Sequence, residues 1–183
     1  RSNSQWTVSY DEMNRIYKIR DSMGATAHTT TNSLRIVPKT PGGVILIKSP
    51  DLAGVYGVNR GDKEVSGELL ALVREKGFWL INETTPENLV SPITAQLADG
   101  SRLPEHLKAL AVTVRTRLAL LSSLLSHESR EYSLCDSSHC LPFAGLQVES
   151  APSPAAALET RGETRLAGAG LAPVNLHRAC GGF

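Results

Sequence analysis

Cysteine is scarce and odd in number: three among 183 residues, which excludes a complete disulfide framework within one chain. Charge of one sign is missing as well. Nineteen basic against 18 acidic residues leave a formal net charge of +1. No broad basic surface is available to neutralise phosphates, so nucleic acid is not the expected partner. No apolar run reaches the roughly 18 residues that cross a bilayer. The opening "RSNSQWTVSY" lacks the charged-then-apolar order of a secretion signal. Any membrane association is therefore expected through a segment outside this chain. There is no internal repeat.

What is present is enough apolar content, 41%, for one compact unit with a sizeable core. The first three-fifths read as β-rich. "LRIVPKTPGGVILIKSP" alternates strand, Pro/Gly turn and strand, and Val44 to Ile47 form a continuous apolar run of the kind covered on both faces. "GELLALVREKGFWLIN" repeats that pattern as a hairpin. Earlier, Met13, Ile16, Tyr17 and Ile19 have a short helical spacing, or else belong to an irregular arm. The hydroxyl-rich Gly24 to Ser33 reads as an exposed loop.

The pattern changes at Thr85. Leu107, Leu110, Ala111, Val114, Leu118, Leu121 and Leu125 repeat as one buried helical face, which predicts a long amphipathic helix over about 103–126 with Pro104 in its first turn and Ser101 as a nearby cap. Leu89, Ile93 and Leu97 mark a shorter helix before it. Pro92 interrupts that helix, and an interior proline costs roughly 3 kcal/mol, so a kink or two short turns is expected. After residue 148 a Pro/Ser/Ala connector leads to a tight glycine turn between two short strands. The Gly181–Gly182 pair suits a turn into further chain. The fold class is thus α+β: a β-rich N-terminal part with hairpins, a kinked short helix, a long helix and a C-terminal β-hairpin. Residues 1–64 form an N-terminal arm and β-rich segment, and 65–183 the core.

The stretch "EYSLCDSSHCLPFAG" concentrates chemistry. With His127, it supplies Cys135, His139 and Cys140, soft and borderline donors in the number that tetrahedral zinc requires. Adjacent residues 139 and 140 are not expected both to ligate without a strained turn. A Cys135–Cys140 disulfide or two idle thiols are the competing readings. Cys180 is either a fourth ligand, a groove-lining thiol or an ordinary buried cysteine.

Four segments, in order, carry a resemblance: "SGELLALVREKGFWLIN", "LPEHLKALAVTVRTRLAL", "YSLCDSSHC" and "AALETRGETRLAGAGLAPVNLHRACGGF". Together they cover roughly Val65 to the end and resemble the family of stage II sporulation protein D, which includes the amidase-enhancer proteins of bacterial cell walls. The resemblance implies a peptidoglycan lytic transglycosylase acting on glycan strands stripped of stem peptides. It places the chain outside the cytoplasmic membrane, in the cell envelope, where members are anchored. Peptidoglycan strands, and a cell-wall amidase, are the implied partners. The implied chemistry needs one carboxylic acid to protonate the glycosidic oxygen while the muramic acid 6-hydroxyl attacks the anomeric carbon. In the family that acid ends a "YLxxVxxxE" helix. Aligned on it, Asn88 and Leu89 replace the tyrosine-leucine pair, and the acid position falls on Gln96. An amide has no proton to give. The chain then reads either as a glycan-binding member or as an inactivated enzyme, or else as an envelope scaffold. Glu87 matches a family glutamate taken as structural, whereas Asp99 and Glu105 read as surface acids. Arg115, Ser138 and Gln147 are the implied substrate contacts, Arg115 alternatively pairing with a buried carboxylate. Leu141, where the family has glutamine, departs from the pattern.

Overall fold

A computed structural model describes residues 5–48, 61–74, 78–123, 127, 131–137, 139–146 and 152–176. In chain order its elements are β1 (Thr7–Asp11), β2 (Ile16–Arg20), β3 (Thr26–Thr30), β4 (Leu34–Ile36), β5 (Val44–Ile47), β6 (Lys63–Ser66), β7 (Glu68–Val73) and β8 (Phe78–Glu83). Helices α1 (Pro86–Leu97), α2 (Pro104–Ser123) and α3 (Pro152–Glu159) follow, then β9 (Leu166–Ala167) and β10 (Gly170–Leu171). The α+β class expected from the sequence is the one observed. These elements group into two units interleaved along the chain: Arg1–Gly43 with Gly67–Glu83, and Val44–Ser66 with Thr84–Phe183.

The first unit contains two antiparallel sheets, ordered β1-β2-β3 and β4-β7-β8. Where helical spacing was read over residues 10–23, the chain instead forms the β1–β2 hairpin. Turn chemistry decides it. The Asp11 carboxylate accepts the Asn14 backbone N–H at 3.2 Å and the Lys18 ammonium at 2.7 Å, and Arg15 takes a left-handed φ of 53°. That places Tyr10 opposite Tyr17, with ring centroids 5.2 Å apart, and Phe78 edge-on to Tyr17 at 5.9 Å. The expected loop over 24–33 is also corrected: Thr26–Thr30 is an exposed edge strand paired with β2. Its threonines suit a pleated surface, and Asp21 turns the chain into it by accepting the N–H groups of Met23 and Ala25 at 2.9 and 3.0 Å. The β7–β8 hairpin is as expected, and Arg35 on β4 clamps its open end by bonding Glu68 at 2.7 Å and Glu83 at 3.2 Å.

In the second unit β5 pairs with β6, not with β4, and its apolar run is shielded on one face only: Val44 and Leu46 stand exposed. Strand pairing, which a local pattern does not encode, overrides the reading of a doubly covered strand. The long helix α2 buries Leu107, Ala111, Val114, Leu118 and Leu121 along the expected face. Ser101 does not cap it; its hydroxyl meets the His106 ring nitrogen at 2.9 Å. Helix α1 runs as one 12-residue element through Pro92, in place of two short turns. Val90, Ile93 and buried Pro92 itself sit in the core with Val114 and Leu118, and that packing outweighs the missing N–H. Asp99 and Gly100, at φ 48° and 85°, end it in left-handed conformation.

Helix α3 replaces the expected Pro/Ser/Ala connector. Pro152 and Pro154 both fall in the first turn, where no intrahelical N–H is required, and alanines follow. Small buried residues, Ser153, Ala156 and Ala157, permit close packing against α1 and α2. The short β9–β10 hairpin matches expectation, turning at Gly168 with φ 62°. Among the described residues, no helix is long and apolar enough to cross a membrane.

Candidate metal centre

Past α2, the chain brings His127, Cys135, His139 and Cys140 together, with one donor atom from each lying within 4.8 Å of all the others. His127 Nε2 is 3.1 Å from Cys140 Sγ, and His139 Nδ1 is 3.4 Å from Cys140 Sγ and 3.6 Å from Cys135 Sγ. The adjacent residues His139 and Cys140 both turn a donor atom into the cluster. Neither takes a left-handed φ. Cys135 and Cys140 are free thiols. A zinc tetrahedron with Zn–S of about 2.3 Å and Zn–N of about 2.0 Å has sulfur–nitrogen edges of roughly 3.5 Å, so the donor types suit that ion and these three sulfur–nitrogen distances lie near its edge length.

Packing and hydrogen bonds hold the loop. Cys140 and Leu141 belong to the core formed by Val90, Ile93, Val114 and Leu118, with Leu134, Cys135 and Phe143 against it. The buried Ser137 hydroxyl accepts the His139 backbone N–H at 3.2 Å and lies 3.1 Å from Cys135 Sγ, placed to donate its own proton to the sulfur. Asp136 Oδ1 accepts the Phe143 N–H at 2.6 Å, and Oδ2 bonds the ammonium of Lys63 from β6. The Tyr132 ring stacks obliquely on His127 at 4.7 Å, and burial pushes its phenol above the usual range, with the charges of Cys135 and Cys140 adding to the shift.

Gln96 lies in the last turn of α1, half-buried, and its Oε1 accepts the Ala144 N–H at 3.0 Å. That contact joins the expected acid position to the segment leaving the His/Cys loop, four residues beyond Cys140. It also fixes the amide: the oxygen is occupied by an N–H, and Nε2 is the group left as donor.

Arg115 lies elsewhere. It is 5% exposed, and its guanidinium bonds Glu87 of α1 at 2.6 and 3.1 Å, the Ala157 carbonyl of α3 at 3.1 Å and the Glu163 carbonyl at 3.1 Å. Those bonds tie three helices together and leave little for a ligand. Ser138, Gln147 and Cys180 lie outside the described residues. Sequence reasoning missed Lys63, Asp136 and Ser137. The last two sit within the quoted cysteine stretch and were legible as polar residues between the clustered Cys and His residues. Lys63 is distant in sequence and carries no local signal.

The family model for stage II sporulation protein, SpoIID, matches residues 74–165, half of the chain. The match takes in all three helices, Gln96 and the four clustered donors. Searches of curated proteins and of solved structures found no match. On the family match, the chain belongs to the stage II sporulation protein family, and its function is related to sporulation and the cell wall.

Proposed function

We propose that this chain is a peptidoglycan-handling protein of the lytic transglycosylase type, built to hold glycan strands that lack stem peptides and unable to cleave them because residue 96 is glutamine. The observation that supports this reading is the hydrogen bond from the Ala144 N–H to Gln96 Oε1, which ties residue 96 to the segment that follows Cys140.

Cleavage by this route needs a proton delivered to the glycosidic oxygen as the muramic acid 6-hydroxyl attacks the anomeric carbon, giving a 1,6-anhydro end without added water. Gln96 holds its oxygen on the Ala144 N–H. Its Nε2 then offers two N–H groups to a sugar acceptor, a glycosidic oxygen or an acetamide carbonyl, and no transferable proton. Binding without turnover follows. A glutamate in the same place would keep one oxygen on the Ala144 N–H and carry the proton on the other.

His127, Cys135, His139 and Cys140 would hold zinc, and a fully ligated ion would clasp the loop. The Ser137 hydroxyl, 3.1 Å from Cys135 Sγ, would hold that sulfur in place. The deciding experiment incubates the native chain and Gln96→Glu with denuded glycan strands and looks for anhydro-muramic ends by mass spectrometry. Release by the variant alone supports the reading. Release by neither, with no co-sedimentation of the native chain on glycan, removes it.

A further inference from the structure

We infer that Lys63 and Asp136 are positioning residues that set the spacing of the metal loop and couple it to the side chain at position 96; this rests on reading the His/Cys cluster as a zinc site. Lys63 is 5% exposed. Burying an ammonium costs several kcal/mol unless it is paired, and lysine is among the residues least often buried. Its partner is Asp136, which stands directly between the ligand Cys135 and the hydroxyl of Ser137 that contacts that ligand. The same ammonium lies 5.8 Å from the Phe143 ring centroid.

Asp136 spans the mouth of the loop. One carboxylate oxygen takes Lys63, the other takes the Phe143 N–H at 2.6 Å, and the next N–H along, that of Ala144, goes to Gln96 at 3.0 Å. Two consecutive peptide groups are thus divided between the metal loop and the acid position. A shift of Asp136 changes the separation between Cys135 and the 143–144 segment, and with it the seat of the Gln96 oxygen. Lys63 anchors that carboxylate to β6, and charge-assisted bonds of this kind are the stronger and more directional ones. Remove the ammonium, and the four donor atoms lose the frame that gathers them within 4.8 Å. The ligands themselves remain, less well arranged.

The test compares the full chain with Lys63→Met, Lys63→Arg and Asp136→Asn. Zinc affinity is read by chelator competition, and ligand geometry by the visible spectrum of the cobalt(II)-loaded protein. The native chain should bind one equivalent. Lys63→Met and Asp136→Asn should weaken zinc binding by roughly 10–100-fold, as loss of groups that orient ligands does, and should move the cobalt bands. Lys63→Arg should restore both readouts. If Lys63→Met melts early, Asp136→Asn decides by the same measurements. Native affinity and a native cobalt spectrum in Asp136→Asn, or in a normally melting Lys63→Met, would overturn the inference. A native chain that binds neither zinc nor cobalt would instead remove the metal reading on which it stands.

Discussion

The two units of this chain use different physics. In the first, Tyr17, Leu69 and Ala71 are buried, but most side chains of the five strands β1–β4 and β8 remain partly open, and hairpin turns and surface ion pairs around Asp11 and Arg35 organise them. In the second, three helices close over a continuous core from Val90 to Leu121, and Cys140 and Leu141 of the His/Cys loop are part of that core. The four clustered His and Cys side chains lie in the second, where packing rather than exposed charge pairs sets geometry. Trp6 and Trp79 lie in the first unit and all three helices in the second, so tryptophan emission and helical circular dichroism report the two separately.

That contrast is exposed most sharply by Leu118→Ala. Leu118 is 1% exposed at the centre of the helical core, and its truncation should cost about 2–5 kcal/mol, seen as a lower helical melting temperature. An unchanged melt would mean that the core is not the main support of the helices. Arg115→Met comes next. It strips Glu87 and two carbonyls of their partner, and a loss of about 2–4 kcal/mol is expected in urea unfolding followed at 222 nm.

Each unit also buries one hydroxyl that has no hydrogen bond within the chain among the described residues, Tyr17 in the first and Thr94 in the second. Thr94→Val should stabilise by about 1 kcal/mol, because it removes a desolvated polar atom at nearly constant volume. Tyr17→Phe should be neutral or stabilising for the same reason, and burial already pushes the Tyr17 phenol upward. Losses in either variant would reveal a partner for that hydroxyl.

The smallest effect is electrostatic and belongs to the first unit. Lys18, and then Asn14, hold the Asp11 carboxyl well below the usual carboxylate range, and Arg35 lowers Glu83. A carboxylate depressed by folding contributes stability above its unfolded pKa, about 3.9 for aspartate, and loses that contribution as pH falls below it towards the folded value. Tryptophan emission should thus report a modest loosening below about pH 4. Asp11→Asn should flatten that dependence, and an identical acid profile in the variant would assign it to other groups.

Legibility did not follow that division: each unit holds one element that the sequence pattern reveals and one that it hides. Helix α2 could be read because its apolar residues repeat on one face, and that face is the buried one. The β7–β8 hairpin could be read because both of its strands are apolar and adjacent in sequence. The β1–β2 hairpin could not, since Met13, Ile16 and Tyr17 mimic a helical interval, although Met13 lies in the turn and only Tyr17 is buried. Helix α3 was hidden by two prolines that terminate helices elsewhere and initiate one here. At the site, the four donor residues announce themselves by type. Lys63 does not, because a buried lysine is recognised only once its carboxylate partner is in view.

The most direct measurement is a zinc titration of the isotopically labelled native chain, following the Ala144 amide and the Gln96 side-chain amide by NMR. One equivalent of zinc should saturate the Cys135–Cys140 signals and move both amides in step with them. Changes that stop at the loop, or the absence of saturable binding, would mean that position 96 and the His/Cys cluster are not parts of one site.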